Sequence, residues 1–144
     1  MTLVAGWRVL VGGRGAGRPL ILDVPVSPLG DVDPEGVLRP ARAKLGGTLL
    51  MFPYAVGSSV GSYVLYSLAA KGLAPSAIFV EKADLMLVSG CALGGIPLVE
   101  LRGSYGRLKE RLARCALAEF SADVPDGLEI TCGGTPLCDP RGTR

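Results

Sequence analysis

Hydrophobic residues occur in this chain both as short continuous runs and at helical spacing. The first pattern predicts strands and the second helices, so we expect a mixed fold. Short apolar runs over 48–52 and 77–80 are typical of buried strands, and Pro53 ends the first of them. Between these runs the apolar residues of 60–71 recur at helical spacing, and Gly72 stands where a helix cap is expected. We therefore expect a buried strand, a polar loop, a helix and a second buried strand.

The rest of the chain predicts further short elements. Strands are expected over 7–11, 20–26, 36–38, 96–101 and 128–132, and helices over 83–92 and 106–120. Irregular structure is expected as a glycine- and arginine-rich turn at 12–17, a loop at 27–34 and a frayed tail at 140–144. Alternating strands and helices predict α/β with partly parallel pairing, beside a compact β/β/α or barrel-like edge.

Length and composition favour one domain, 1–144, with one well-filled interior. The chain has 144 residues, of which 49% are hydrophobic and 19% charged, so it is too apolar for disorder. A formal charge of +2 without a basic run argues against nucleic acid. The uncharged stretch 45–70 is long enough for a membrane span, but Pro53 and the polar run 57–62 favour a strand and a helix instead. No signal-peptide pattern is evident, so we expect a cytoplasmic protein without membrane contact.

The absence of His restricts the possible chemistry. No Ser–His or Cys–His pair can form, so proton transfer would need Asp, Glu, Lys, Tyr, Cys or an activated Ser. None of the four cysteines forms a C-x-x-C pair, and we expect no metal site within this chain. Cys132 and Cys138 are close enough in sequence to form a disulfide, although they could also stay reduced. Cys91 is interpreted as a small core residue.

The segment 57–63, Gly-Ser-Ser-Val-Gly-Ser-Tyr, lies between a predicted strand and a predicted helix. Its glycines allow a tight turn and close approach of a ligand, and a helix start offers unpaired N–H groups. Three hydroxyls add donors, so the segment could hold a carboxylate, a phosphate or an oxyanion. A capped helix start without a ligand explains the same pattern. No Lys follows the second glycine, which excludes the common nucleotide-binding phosphate loop.

From residue 47 to 99 the chain resembles the aconitase X swivel-domain family, and within it the small subunits of phosphomevalonate dehydratases. The matching stretches are 57–65, 72–78 and 92–97, with an upstream loop at 25–36. The resemblance implies a single swivelling β/β/α domain. Departures from the family pattern at Pro28, Leu29 and Asp31 leave the shape of the substrate pocket open.

The resemblance also implies a function. Such enzymes are carbon–oxygen hydro-lyases that dehydrate (R)-5-phosphomevalonate to trans-anhydromevalonate phosphate in the archaeal mevalonate pathway of isoprenoid biosynthesis. A large catalytic subunit would hold a [4Fe–4S] cluster whose open iron acts as a Lewis acid, and this chain would bind no metal. In a heterodimer or larger complex, this chain would supply the general base Ser62, with Ser58 as the alternative. Substrate binding would involve Ser58, Ser59, Gly57, Gly61 and Ser27.

Physical arguments limit what Ser62 can do alone. A helix N-terminus contributes roughly 0.3–2 kcal/mol. Because about 1.36 kcal/mol corresponds to one pKa unit, the helix would lower the hydroxyl pKa by about one. We therefore expect an isolated chain to be inactive. Two other interpretations stay open: a dehydratase of the same architecture acting on another hydroxy acid such as hydroxyproline, and a non-enzymatic anion-binding module. The charged segment 102–114 is interpreted as a solvated face.

Overall fold

A computed structural model describes residues 6–138, so the tail expected at 140–144 lies outside the described residues. The strands in this part of the chain are β1 Arg8–Val11, β2 Gly13–Ile21, β3 Val37–Leu38, β4 Ala43–Lys44, β5 Thr48–Phe52, β6 Ala77–Val80, β7 Leu98–Glu100, β8 Ala118–Asp123, β9 Gly127–Cys132 and β10 Thr135–Pro136. The α-helices are α1 Pro28–Asp31, α2 Gly61–Ala70, α3 Leu85–Gly94 and α4 Tyr105–Leu112.

Eight of these strands form one mixed sheet in the order β1-β7-β6-β5-β2-β8-β9-β10, while β3 and β4 pair separately. The strands β2, β5, β6 and β7 are parallel, and the outer strands are antiparallel. This confirms the predicted α/β class. The carboxyl ends of the four parallel strands lie at one side of the sheet, here named the carboxyl edge, which is where open α/β sheets bind ligands.

The glycine-rich run 12–17 is not the predicted turn. Most of it lies in β2, where Gly13–Gly17 pairs with Ala118–Ala122 of β8. A Cβ on Gly17 would stand 2.8 Å from the Thr48 carbonyl carbon, so glycine is needed where β2 passes from β8 to β5. The sheet is curled, because the Val9 N–H of β1 donates to the carbonyl of Pro125, between β8 and β9, at 2.7 Å. This agrees with the barrel-like edge expected from the sequence.

The single core expected from the chain length is wrong: two hydrophobic cores lie on opposite faces of the sheet, because successive strand side chains point to opposite faces. In β5, Leu50 and Phe52 face α2 and α3, and Leu49 and Met51 face the other way. The second face is covered by α4, whose Leu108 is fully buried, together with side chains of β8 and β9. Every residue of β5 is therefore buried, as the continuous apolar run predicted.

The helix predicted over 106–120 is too long. The helix α4 ends at Leu112, and the chain is a strand again from Ala118. In β8 Ala118, Phe120 and Ala122 are buried while Glu119 is exposed, so the burial pattern has the period of two of a strand. The strand predicted over 20–26 is misplaced, because β2 spans Gly13–Ile21 and includes only the first two of those residues. The loop predicted at 27–34 contains the short helix α1.

The disulfide considered between Cys132 and Cys138 is wrong. Cys132 is bonded to Cys115, with the two Cα atoms 6.0 Å apart. The pairing of Ala118 with Cys132 across β8 and β9 brings the connection between α4 and β8, which contains Cys115, beside Cys132. Cys138 packs in the core instead. Cys138 and Cys91 are buried and free, and Cys91 is the core residue that the sequence predicted.

The uncharged stretch 45–70 divides into β5, a loop and the ten-residue helix α2. Within residues 6–138, every helix is too short or too polar to cross a bilayer.

Candidate functional site

The loops that follow β2 and β5 meet at the carboxyl edge. The Val26 N–H donates to the Tyr54 carbonyl at 3.2 Å, and the Val56 N–H donates to the Val26 carbonyl at 2.9 Å. This pairing sets Gly57 against Ser27. Gly57 has a φ of +106°, and a Cβ built on it would lie 2.9 Å from Ser27 Oγ, so only glycine fits. The fold thus brings together two segments that the sequence placed thirty residues apart.

Ser27 is the N-cap of α1. Its Oγ accepts from the Gly30 N–H at 3.2 Å, while its own N–H donates to Asp31 Oδ2 at 2.7 Å. This reciprocal arrangement fixes the loop in the manner of a capping box. Among residues 6–138 the Ser27 hydroxyl has no acceptor, so it can donate a hydrogen bond to a ligand beside Gly57.

The turn into α2 satisfies its own N–H groups. Ser58 Oγ accepts from the Val60 N–H at 3.0 Å, and the carbonyl of Ser58 accepts from Gly61 at 2.9 Å. The Ser62 N–H donates to the Ser59 carbonyl at 3.1 Å. The unpaired N–H groups expected at the helix start are therefore already bonded, which corrects that expectation.

The free donors lie one step earlier in the chain. Within the part of the chain that the structure describes, no acceptor is found for the N–H groups of Gly57, Ser58 and Ser59, and all three residues are exposed. The Ser62 hydroxyl is half-buried and donates to the Ser59 carbonyl at 2.8 Å. An oxyanion would therefore meet loop N–H groups rather than the helix terminus.

Close backbone packing fixes the start of α2. Gly61 is buried, and a Cβ built on it would stand 3.0 Å from Met86 Sδ and 3.4 Å from Pro28 Cβ. A Cβ on Gly90 of α3 would stand 3.0 Å from the Cα of Ser62. The position of Ser62 is thus set by backbone contact with α3 rather than by its own side chain.

Further hydrogen bonds continue along the carboxyl edge to residues that the sequence reasoning missed. The Pro53 carbonyl accepts hydrogen bonds from the backbone N–H groups of Glu81 and Lys82, at 3.0 and 3.1 Å. Beyond them, Glu100 is only 4% exposed and is bonded to Arg102. Glu100 could have been found from the sequence, because it is a charged residue within the apolar strand predicted over 96–101. Acidic side chains are almost never fully buried unless paired.

Exposed apolar side chains surround this edge. Each follows the carboxyl end of a parallel strand or stands at the start of α1, α2 or α3, and the set is Val24, Leu29, Tyr54, Val56, Val60, Tyr63 and Leu85. Several exposed apolar side chains at one edge are typical of a binding face. The structure therefore places Gly57, Ser58, Ser59, Gly61, Ser62 and Ser27 in one small region with an apolar rim.

The cysteines do not contribute to this region. Burial raises the pKa of the Cys91 thiol to about 12, and burial likewise raises that of Cys138 to about 12. Both are therefore neutral thiols at physiological pH, and thiolates are the nucleophilic and metal-binding form. Within residues 6–138 no three Cys, Asp or Glu side chains are grouped to hold a metal ion.

The fold and this edge define the class of protein. The chain matches the family described as aconitase X swivel domain over residues 5–117, and it belongs to that family. This confirms the resemblance seen in the sequence. Curated relatives named phosphomevalonate dehydratase small subunit include one from Thermococcus gammatolerans, 40% identical over 65% of this chain and 76% of its own. Another, from Pyrococcus furiosus, is 42% identical over 64% of this chain and 73% of its own.

Solved structures give the same picture. The crystal structure of the holo-form of Thermococcus kodakaraensis aconitase X covers 67% of this chain and 78% of its own, with 38% identity and a TM-score of 0.64. The solution NMR structure of a UPF0107 protein covers 90% of this chain and 92% of its own, with 30% identity and a TM-score of 0.67.

Proposed function

We propose that this chain is the small subunit of a hydro-lyase that dehydrates (R)-5-phosphomevalonate to trans-anhydromevalonate phosphate. A large catalytic subunit would carry the [4Fe–4S] cluster and bind against the carboxyl edge. The names of the curated relatives support the substrate and the presence of a second subunit. The serine-bearing loops support the chemistry, because they offer hydroxyl and N–H groups to an anionic substrate.

One observation carries the proposal: the serine region is an open half-site. Ser58 and Ser59 are exposed, and the surrounding apolar side chains of Tyr54, Val60 and Tyr63 are also exposed. Hydrogen-bond donors stabilise developing charge far better once water is excluded. We infer that a second protein supplies the other wall of this open site.

The donor set of this chain does not suit the cluster itself. Iron–sulfur clusters are held by several thiolates close together. Here Cys115 and Cys132 are joined to each other, and Cys91 and Cys138 are buried on opposite faces of the sheet. The cluster is therefore assigned to the large subunit, and the role proposed for this chain is confined to binding the substrate and moving a proton.

We assign the base to Ser62. It lies at the start of α2 beside the free N–H groups, and its Cα is fixed against Gly90. In the described rotamer its hydroxyl donates to the Ser59 carbonyl at 2.8 Å, and an alkoxide there would face another oxygen. Accepting a proton from carbon therefore requires rotation of the side chain away from that carbonyl when the complex closes.

Ser58 remains the alternative base. Its Oγ accepts a hydrogen bond from the Val60 N–H, and such a bond stabilises a deprotonated oxygen. Among the described residues, the Ser58 hydroxyl donates to no acceptor. The N–H groups of Gly57 and Ser59 would then bind a substrate oxygen whichever serine is the base. Ser27, held beside Gly57 by the α1 cap, is assigned to substrate binding.

The test is anaerobic co-expression with the large subunit, followed by dehydration assays on phosphomevalonate and on hydroxyproline. We expect turnover on phosphomevalonate only, and none from the isolated chain. Ser62→Ala is expected to lower kcat by about 10²–10⁴ while the complex still assembles, as is typical for loss of a general base.

Ser67→Ala, in the middle of the same helix, is the matched control and should leave kcat unchanged. If Ser62→Ala keeps near-normal turnover and Ser58→Ala does not, the base is Ser58. If the assembled wild-type complex dehydrates hydroxyproline instead, the substrate assignment is wrong while the fold argument stands.

A further inference from the structure

A buried carboxylate fixes an arginine at the end of β7, two strands away from the serine region. Glu100 is the last residue of β7 and is only 4% exposed. Its Oε1 accepts from Arg102 Nε at 2.6 Å, and its Oε2 accepts from the Ala83 N–H at 2.9 Å. Both carboxylate oxygens are thus used within the protein, and one N–H of the guanidinium is held in a fixed direction.

The remainder of this guanidinium faces solvent. The Arg102 side chain is 69% exposed, and within residues 6–138 only its Nε has a hydrogen-bond partner. It lines a cleft of about 450 Å³ whose other walls come from the loops after β6 and β7, including Glu81, Lys82 and Gly103. A guanidinium bonded through Nε keeps N–H groups for a second anion, in a planar fork that matches phosphate oxygens.

The carboxylate that holds Arg102 points to the face of the sheet that α2 and α3 cover. In β7, Leu98 belongs to the core under α2 and α3, whereas Val99 belongs to the opposite core. Alternation therefore directs Glu100 to the α2 and α3 side. The bond from Ala83, two residues before α3, agrees with that direction. Arg102 Nε is bonded to the same carboxylate, so it lies at the carboxyl edge near the start of α3, the helix that packs on the start of α2.

The strand order gives the approximate separation across the sheet between the ends of β5 and β7. Adjacent strands lie about 4.8 Å apart, so β5 and β7, which are separated by β6, are about 10 Å apart. The serine region follows β5, and the reaction removes a proton beside the substrate carboxylate. A cation two strands away would then meet the opposite end of an extended five-carbon chain, which carries the phosphoryl group.

We propose that Arg102, held by Glu100, binds the phosphoryl group of the substrate and sets the preference for a phosphorylated hydroxy acid. This inference rests on the proposed function. Glu81 and Lys82 add one charge of each sign to the cleft, so recognition depends on the direction of the guanidinium N–H groups rather than on net charge. Lysine, which lacks the planar fork, is therefore not an adequate substitute.

The test compares two substrates in the assembled complex: phosphomevalonate and the same hydroxy acid without its phosphoryl group. We expect Arg102→Gln to lower kcat/KM for phosphomevalonate at least tenfold, mainly through KM, and to lower kcat/KM for the unphosphorylated compound much less. Arg102→Lys should show a smaller loss in the same direction. Arg107→Gln on α4, which packs against the other face, is the matched control and should behave as wild type.

The comparison separates binding from structural damage. If Arg102 only neutralises Glu100, its replacement will lower activity on both substrates equally, and that result overturns the proposal. If Arg102→Gln fails to fold, Arg102→Lys retains the pair with Glu100 and decides the question by the same ratio. A wild-type complex inactive on phosphomevalonate overturns the proposed function and this inference together. An active wild type with an unchanged ratio in both variants overturns only the role of Arg102.

Discussion

Gly90 of α3 lies directly against Ser62 of α2. A Cβ built on Gly90 would stand 3.0 Å from Ser62 Cα and 2.8 Å from Leu65 Cδ1. The side chain of Leu65 could turn aside, but the backbone of α2 could not do so without moving the serine. The position of Ser62 therefore depends on the absence of a side chain at Gly90, which lets the two helices approach closely.

This contact predicts that Gly90→Ala damages both stability and activity. Overpacking of this kind costs about 1–3 kcal/mol in free energy of unfolding, and the shift of α2 should also lower kcat in the assembled complex. Chemical denaturation and steady-state assays measure the two effects. Gly106→Ala is the control, because nothing lies within 4 Å of its Cβ position in α4. Equal behaviour of the two variants would contradict the packing argument.

Gly57→Ala is expected to distort the serine loop. The left-handed φ of +106° costs a non-glycine residue roughly 1–2 kcal/mol, and the new Cβ would press on Ser27 Oγ at 2.9 Å. We expect lower stability and a loss of substrate binding, measured as a raised KM in the complex. Gly46→Ala, at an open position outside the left-handed region, should leave KM at the wild-type value.

Reduction of the Cys115–Cys132 disulfide should destabilise the isolated chain. The bond closes a loop with a sequence separation of 17, and loops near this size gain about 3 kcal/mol from cross-linking. Thermal unfolding with and without reductant measures the effect, and thiol titration of the unfolded, unreduced chain should count two cysteines. A Cys115→Ser, Cys132→Ser double variant should no longer respond to reductant. Four free thiols in the purified protein would remove the basis of this prediction.

Buried thiols predict a loss of stability at alkaline pH. Burial raises the pKa of Cys91 from 9.0 to about 12, so between these values the unfolded chain releases a proton that the folded chain keeps. The folded state is therefore favoured fully below pH 9 and loses this contribution as the pH rises toward 12. Urea unfolding at pH 7.5 and 10.5 measures the change, which should be smaller in Cys91→Ala. The change in unfolding free energy between the two pH values is compared rather than its absolute value, because Cys91→Ala also loses packing.

The middle of the fold could be predicted from local patterns. Thr48–Phe52 is a strand with the predicted bounds, because an apolar run bounded by glycines and a proline has few alternatives. The helix predicted over 60–71 matches α2 closely for the same reason. In the site, the grouping of Ser58, Ser59 and Ser62 follows directly from their closeness in sequence.

Other features depend on partners that are distant in sequence. The run Gly13–Gly17 is a strand because Ala118–Ala122 pairs with it about a hundred residues later. Local propensity favours a turn there, and tertiary pairing overrides it. The contact of Ser27 with Gly57 and the burial of Glu100 likewise depend on parallel strands meeting at one edge. No short-range spacing contains that information.

The edge-to-face contact between Phe79 and Phe120, with ring centroids 6.3 Å apart at 84°, has a practical consequence. Phe79 belongs to the stretch shared with known relatives, but Phe120 lies beyond residue 117, where the family match stops. A protein shortened to residues 5–117 would leave a hole beneath β6 and would leave Gly13–Gly17 of β2 without its partner strand β8. The match to the family model therefore ends before the hydrophobic core does, because that core includes side chains as far as Cys138.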